Sequence, residues 1–264
     1  MDELVDPVLL NGRGAPSAWM NLGWWAEPAT YPEAAAALAR QVGAAATITA
    51  GDQILDVGCG AGDSTALWIR EFGAARVKGL EPNPTVAARA RRRVATWQLD
   101  DRVTIDACAA ESFEDAAALA QMDAVVSVDA AYHIETRARW LHQLGTTCRP
   151  GTRLGLFDIA LHDAADRARV SRYARRAGIP AANLWSVDEI VPTLTAAGFT
   201  AVRVRRCETE VFRGFVRFTR RGLVRCATHP GQGGWRTLAT AMMLASLGAR
   251  LAAVVIGAER TSTR

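Results

Sequence analysis

The stretch Ile54-Leu55-Asp56-Val57-Gly58-Cys59-Gly60-Ala61-Gly62-Asp63 constrains this chain more than any other. A short β-type run, Gln53 to Val57, enters a loop with glycines at 58, 60 and 62, and a helix-forming run from Asp63 to Phe72 leaves it and stops at Gly73. Glycines so spaced let the backbone turn tightly and approach a ligand closely. The helix that follows presents free N–H groups at its start. A glycine triplet alone says little, but here a second β-type run, Arg76 to Leu80, ends directly at Glu81. A carboxylate after that strand can accept hydrogen bonds from ribose hydroxyls, as in dinucleotide folds. The alternative is a solvated loop carboxylate.

The alternation continues. Helix-forming runs at Tyr31 to Ala46 (with Pro32 near its start), Pro84 to Gln98, Glu111 to Ala120 and Ile134 to Leu144 are interleaved with β-type runs at Arg102 to Asp106, Asp123 to Val128 and, after the Pro150-Gly151 turn, Arg153 to Asp158. Strands alternating with helices imply βαβ units and an α/β, Rossmann-like doubly wound sheet. Ligands of such sheets bind beyond the carboxyl ends of the strands, so functional residues are sought just after each strand.

Composition narrows the class. With 50% hydrophobic residues over 264, the chain can bury one large core, and disorder is excluded. The net charge of +4 is carried almost entirely by arginine, Lys78 being the only lysine, and it does not point to a nucleic-acid partner. Cys59, Cys108, Cys148, Cys207 and Cys226 are odd in number and widely spaced, without a CxxC, which excludes a disulfide framework and a zinc site. The histidines, His133, His142, His162 and His229, show no metal-ligand spacing, so no metal is expected. The N-terminus lacks a basic region followed by an apolar core, and the longest apolar stretch, Leu238 to Gly257, is broken by Arg250. That stretch reads as a helix followed by a strand, not a membrane span. The expected compartment is the cytoplasm.

The loop also bears on the ligand. Pyrophosphate-binding loops follow GxGxxG, whereas this one is GxGxG with Asp63 where the third glycine of that pattern would fall. A carboxylate there repels a pyrophosphate. Asp56 and Asp63 suit a ligand carrying an ammonium and a sulfonium, which favours S-adenosylmethionine over a nicotinamide dinucleotide.

With LDVGCGAGD at 55–63, the chain resembles a class I S-adenosylmethionine-dependent methyltransferase from about Asn21 to Glu259. Asn21-Leu22-Gly23-Trp24-Trp25 is similar to the opening motif of the small-molecule branch that holds sterol, tocopherol and cyclopropane-synthase-like enzymes. Val126 to His133 resembles that branch's segment after strand four, Cys148 to Leu154 its turn before strand five, and Ala196-Ala197-Gly198-Phe199 its approach to strand six. The resemblance implies seven strands, the last antiparallel, with strand six near Ala201 to Cys207 and strand seven near Leu251 to Ala258. It implies one domain over 1–264: an N-terminal helical cap at 1–50, a donor-binding core at 51–160, and substrate covers inserted at 161–185 and 209–250. The second cover holds Phe212, Phe215, Phe218 and Trp235.

The expected donor contacts are Gly58, Cys59, Gly60 and Gly62 on the methionine part, with Asp56 and Asp63 near it. Glu81 is expected at the ribose, Ala109, Ala110 and Glu111 at the adenine, and Asp129 at the methionine end, with Pro82, Asn83 and Ser127 as further donor contacts. Trp24 and Trp25 either lie over the sulfonium or acceptor by a cation–π contact or close the N-terminal helix onto the sheet. Ala109 departs from the family, which carries an aspartate there for the adenine amino group. Losing one such contact weakens binding by about 1 kcal/mol.

Methyl transfer needs alignment above all, and a base where the acceptor is protonated. His133, just past strand four, is the leading base candidate, the other reading being a loop or helix-capping histidine. Asp158 is the second, as a base or as a partner orienting His133, unless it only binds backbone at a strand end. Tyr132 is expected to shape the methyl pocket. Arg89, Arg91, Arg92 and Arg93 read as a solvated helix face. Arg213, Arg217, Arg220 and Arg221 lie at helical spacing, either facing solvent or recognising an anionic group on the substrate. The function expected is S-adenosylmethionine-dependent methyl transfer to a small, partly apolar molecule of secondary metabolism, on oxygen, nitrogen or carbon. The alternative is a repurposed fold catalysing a non-methylating step such as cyclisation. The oligomeric state stays open.

Overall fold

The structure, a computed structural model, describes residues 10–11, 15–27, 30–227 and 232–261, without the side chains of 221–227, 232–236 and 238. Helix α1 (Tyr31–Ala45) starts where the sequence signals it. Thr30 caps it, Glu33 closes a capping box, and Pro32 occupies its first turn, where no amide hydrogen is needed. The βαβ run follows: β1 (Gln53–Val57), α2 (Asp63–Arg70), β2 (Arg76–Leu80), α3 (Pro84–Thr96) and β3 (Val103–Asp106). Next come α4 (Ala116–Gln121), β4 (Ala124–Ser127), α5 (Arg137–Thr147) and β5 (Arg153–Leu161). After a helical insert with α6 (Arg167–Arg176) come α7 (Val187–Ala196) and β6 (Phe199–Arg206). A second insert with α8 (Gly214–Ala227) and α9 (Gln232–Leu247) precedes β7 (Leu251–Arg260).

The seven strands form one sheet in the order β3-β2-β1-β4-β5-β7-β6. The first five pair in parallel, and β7 runs antiparallel to both β5 and β6. The strand order reverses between β1 and β4, so a crevice opens beyond their carboxyl ends. Apolar residues fill both faces: Leu38, Trp68 and Val94 lie in the core under α1, α2 and α3, and Leu119, Trp140 and Leu194 in the core under α4, α5 and α7. The layering follows from strands that are nearly all buried, such as β4 and β5, which need helices on both sides.

Two helices differ from the sequence reading. Glu111 to Ala120 is split into a 3₁₀ turn, Ala110–Ser112, and α4, because the Asp115 side chain accepts from the Ala118 N–H and starts a new helix. The helix expected from Ile134 begins at Arg137, since Ala131–His133 forms a separate 3₁₀ turn. Both changes lengthen the loops beyond β3 and β4, where a ligand site would sit. Among the described residues no helix is long and apolar enough to cross a membrane, and no group of His, Cys, Asp and Glu is placed to hold a metal ion.

Candidate active site

A cavity of about 510 Å³ occupies the crevice. One end is built by the β1–α2 loop: Gly58, Cys59, Gly60, Ala61, Asp63 and Ser64 line it, opposite Glu81, Pro82 and Asn83 from the end of β2 and Ala109, Ala110 and Glu111 after β3. Gly58 has φ +73, and a Cβ there would stand 2.4 Å from the Ala130 side chain, so only glycine lets the loop pass this close to the segment after β4. Glu81 is folded back onto the loop. One carboxylate oxygen accepts from the Gly60 N–H at 3.1 Å and the other from the Asn83 N–H at 2.9 Å. Asn83 in turn caps α3, accepting from the Thr85 and Val86 N–H groups.

A strap from the N-terminal segment closes the cavity from above. Ala18, Trp19, Met20, Asn21 and Leu22 line it. The Ala18 N–H donates to the Asp63 carboxylate, and the Leu22 N–H donates to Asp129 at 2.7 Å. The Tyr31 hydroxyl donates to the Asn21 carbonyl at 2.6 Å, fixing the strap to α1. Sequence reasoning missed these lining residues. The Asn21–Trp25 motif marked the region, but not which of its side chains face inward.

The far end is apolar. Ile134, Ile159, Ala177, Ile179, Met243 and Leu244 form its wall, with the Thr240 side chain among them. Asp129, Tyr132 and His133 line the same cavity. Asp129 has φ +63 and receives two hydrogen bonds, from the Tyr132 hydroxyl and the Leu22 N–H. Burial nevertheless pushes its carboxyl up to about 7. The His133 ring nitrogen Nδ1 lies 3.0 Å from the Gly178 carbonyl. A carbonyl oxygen only accepts, so Nδ1 carries the hydrogen and Nε2 keeps its lone pair in the neutral ring. Burial lowers the imidazole below its ordinary value, outweighing the hydrogen bond to Gly178, and His133 is therefore neutral at neutral pH.

Several expected site residues stand elsewhere. Trp24 does not line the cavity; the Arg205 guanidinium lies over its ring at 4.8 Å. Trp25 stacks on Phe218 with ring centroids 4.5 Å apart and donates to the Leu22 carbonyl, so it ties the strap to α8. Asp56 is fully buried behind the loop and accepts from the Trp68 indole at 2.8 Å. Burial pushes it up to about 6, so it does not serve as an exposed counter-charge. Gly62 is absent from the cavity wall; with φ +88 it turns the chain into α2 as that helix's cap. Ser127 is buried and donates to the Val57 carbonyl, which ties β4 to β1. Asp63 does face the cavity, but the Arg93 guanidinium pairs with it, so its charge is already matched. Arg93 is thus no solvated side chain, and it stacks over Trp97 at 4.4 Å.

Asp158 is withdrawn as well. It is 2% exposed, one oxygen pairs with Arg137 and the other accepts from the Ile159 N–H at 2.8 Å. It neither reaches the cavity nor orients His133, whose Nδ1 partner is Gly178. Asp106, next to the adenine-side segment, is paired with Lys78. Phe212 and Phe215 are buried in the core rather than exposed on a cover's inner face, and no lining residue comes from 209–220. The side chains of Trp235, Arg221 and Cys226, and all of His229, lie outside the described residues.

The charge of the site discriminates between ligands. Glu81, Glu111 and Asp129 line the cavity, and no lysine or arginine does among the described residues. A pyrophosphate would meet carboxylates without a counter-ion, whereas a ligand with an ammonium and a sulfonium finds complementary charge. The glycine loop, Glu81 and this charge pattern fit S-adenosylmethionine.

Comparison with known proteins agrees with the geometry. Residues 54–151 match the family described as Methyltransferase domain. Methyltransferase GfsG of Streptomyces halstedii is 29% identical over 150 residues, 56% of this chain and 53% of the relative, so the chain spans about half of that protein's length. Erythromycin 3''-O-methyltransferase of Saccharopolyspora erythraea is 28% identical over 215 residues, 78% of this chain and 70% of the relative. The crystal structure of the (4+2)-cyclase SpnF shares the fold with a TM-score of 0.77 at 20% identity, over 97% of this chain and 94% of that one. From its glycine loop, its strand order and the match over residues 54–151, the chain carries a class I S-adenosylmethionine-dependent methyltransferase domain.

Proposed function

We propose that this chain methylates a hydroxyl oxygen of an uncharged, largely apolar small molecule, with S-adenosylmethionine as donor. The observation that carries the reading is that one cavity is lined by the glycine loop, by Glu81, by His133 and by an apolar wall. When bound, the donor supplies an activated methyl group on a positively charged sulfur. In the proposed site Glu81 accepts from the ribose, Ala109, Ala110 and Glu111 flank the adenine, and Asp129 lies towards the methionine end. His133 Nε2 accepts the proton of the acceptor hydroxyl, and Nδ1–H stays on Gly178. The strap at 18–22 and the apolar wall exclude water, and holding the two reactants in line is worth about 7–11 kcal/mol.

The apolar wall favours an uncharged acceptor. Arg213, Arg217 and Arg220, considered as anion-recognising residues, do not line the cavity. An oxygen acceptor is in keeping with the relative named for 3''-O-methylation of erythromycin. We assign 1–50 as cap, 51–160 as donor core, and 161–185 and 209–250 as covers. The first cover contributes Ala177 and Ile179, and the second Thr240, Met243 and Leu244.

The test is incubation of the protein with S-adenosylmethionine and a panel of neutral hydroxylated polyketides, read by mass spectrometry, with His133→Gln alongside. A methyl gain in the wild type, lost in His133→Gln while S-adenosylhomocysteine still binds, supports the reading. An isomerised product without donor consumption would establish the cyclising alternative instead.

A further inference from the structure

The carbonyl groups on either side of His133 are held by one side chain from a distant segment. The Asn183 amide nitrogen donates to the Tyr132 carbonyl at 3.0 Å and to the Ile134 carbonyl at 2.6 Å. Asn183 is 2% exposed, and its two N–H bonds are spent on the backbone that carries the histidine. It is itself anchored. Its carbonyl accepts from Arg137 Nη2 at 2.7 Å, and its N–H donates to the Pro180 carbonyl at 2.9 Å. Arg137, 1% exposed, pairs through its other terminal nitrogen with Asp158, and its guanidinium lies 3.5 Å from the centre of the Trp185 ring. Asp158 receives the Ile159 N–H, and Ile159 is part of the cavity wall.

A buried ion pair of this kind is weak grounds for stability, because desolvation offsets much of the attraction. What it does well is fix geometry. Here the pair joins β5, the start of α5 and the turn at 181–185, and it delivers a donor to both sides of His133. The same turn region carries the Gly178 carbonyl that sets the His133 tautomer. A shift of the turn would therefore move both the backbone under the ring and the partner of Nδ1.

We infer that Asn183, held by the Arg137–Asp158 pair, is a positioning residue that keeps His133 in the Nδ1–H form with Nε2 aimed into the cavity. The inference rests on the proposed role of His133, but its test does not need the acceptor. Two-bond ¹⁵N–¹H spectra of ¹⁵N-histidine protein report tautomer and titration directly, and the chain has only four histidines. A His133→Gln sample assigns the signal.

In the wild type, His133 is expected as a single Nδ1–H tautomer that titrates below the ordinary imidazole value of about 6.5. In Asn183→Ala, and in the milder Asn183→Ser, it should become a mixture of tautomers, and its titration should rise towards about 6.5 as water reaches the ring. S-adenosylhomocysteine affinity by calorimetry should stay within about twofold, the range of a substitution that touches no ligand. A general loosening of the fold would lower that affinity as well. Unchanged tautomer and titration in both variants would overturn the inference, as would a wild-type His133 in the Nε2–H form. If the spectra respond as expected but His133→Gln keeps full turnover, the positioning stands and the proposed role of His133 as base falls.

Discussion

Asp129 offers a prediction whose sign is opposite to that of an ordinary carboxylate. Burial beside the cavity pushes its carboxyl up to about 7, whereas in an unfolded chain it titrates near 3.9. Between those values the folded protein holds a proton that the unfolded chain has released. Stability from this group is therefore full below about 3.9 and is lost as pH rises through about 7. A difference of that size is at most about 4 kcal/mol at 1.36 kcal/mol per tenfold step, and access to water through the cavity reduces it. Asp129→Asn removes the titration but gives up one acceptor. The Leu22 N–H and the Tyr132 hydroxyl each donate to a separate oxygen, and a carboxamide offers only one. That loss costs about 1 kcal/mol. The variant should accordingly be less stable than the wild type near pH 4 and more stable at pH 9, with the two curves crossing between. The assay is thermal melting of the ligand-free protein across that range, where each kcal/mol corresponds to about 2–4 °C in a chain of this size. Asp56, pushed up to about 6, adds a falling slope to both proteins and cancels in the difference. A variant destabilised equally at both ends of the range would refute the buried, raised Asp129.

Two further outcomes follow from the site. Glu81→Gln should weaken S-adenosylhomocysteine binding about 10- to 100-fold by calorimetry, the worth of a hydrogen bond to a charged group; unchanged affinity would remove Glu81 from the donor site. Trp24→Ala should leave donor affinity within about twofold, since Trp24 packs against Arg205 away from the cavity. A tenfold loss would restore Trp24 to the site.

The parts of this protein that were legible in its sequence are those that a single βα unit fixes. Gly58, Gly60, Glu81 and Asn83 stand at the cavity because the strand, the turn and the helix that place them are contiguous, and φ at Gly58 is demanded by the turn itself. The parallel pairing of the first five strands followed from alternation in the same way, since parallel pairs need crossovers. Where the reading went astray, the partner lay far along the chain. Asp63 looked like an open counter-charge because Arg93, 30 residues on, looked like one of four arginines on a wet helix face. Trp24 looked like a cation–π surface for a ligand, and it is one, but for Arg205. Asp158 had the right position at a strand end and the wrong direction, because Arg137 takes it inward. Each error has the same form: the chemistry expected of the side chain was sound, and a protein group, not a ligand, satisfied it. Sequence periodicity reports which residues share a face or a loop, but it carries no information on which charge will meet which across 20 to 180 residues. Asn183 is the clearest case. Nothing in Ala181-Ala182-Asn183-Leu184 marks it, and its significance comes only from lying where two carbonyls beside His133 would otherwise be buried unpaired. The residues that line the cavity around the glycine loop are therefore open to sequence reading, whereas those that hold His133 in place are set by inserts whose contacts appear only in three dimensions.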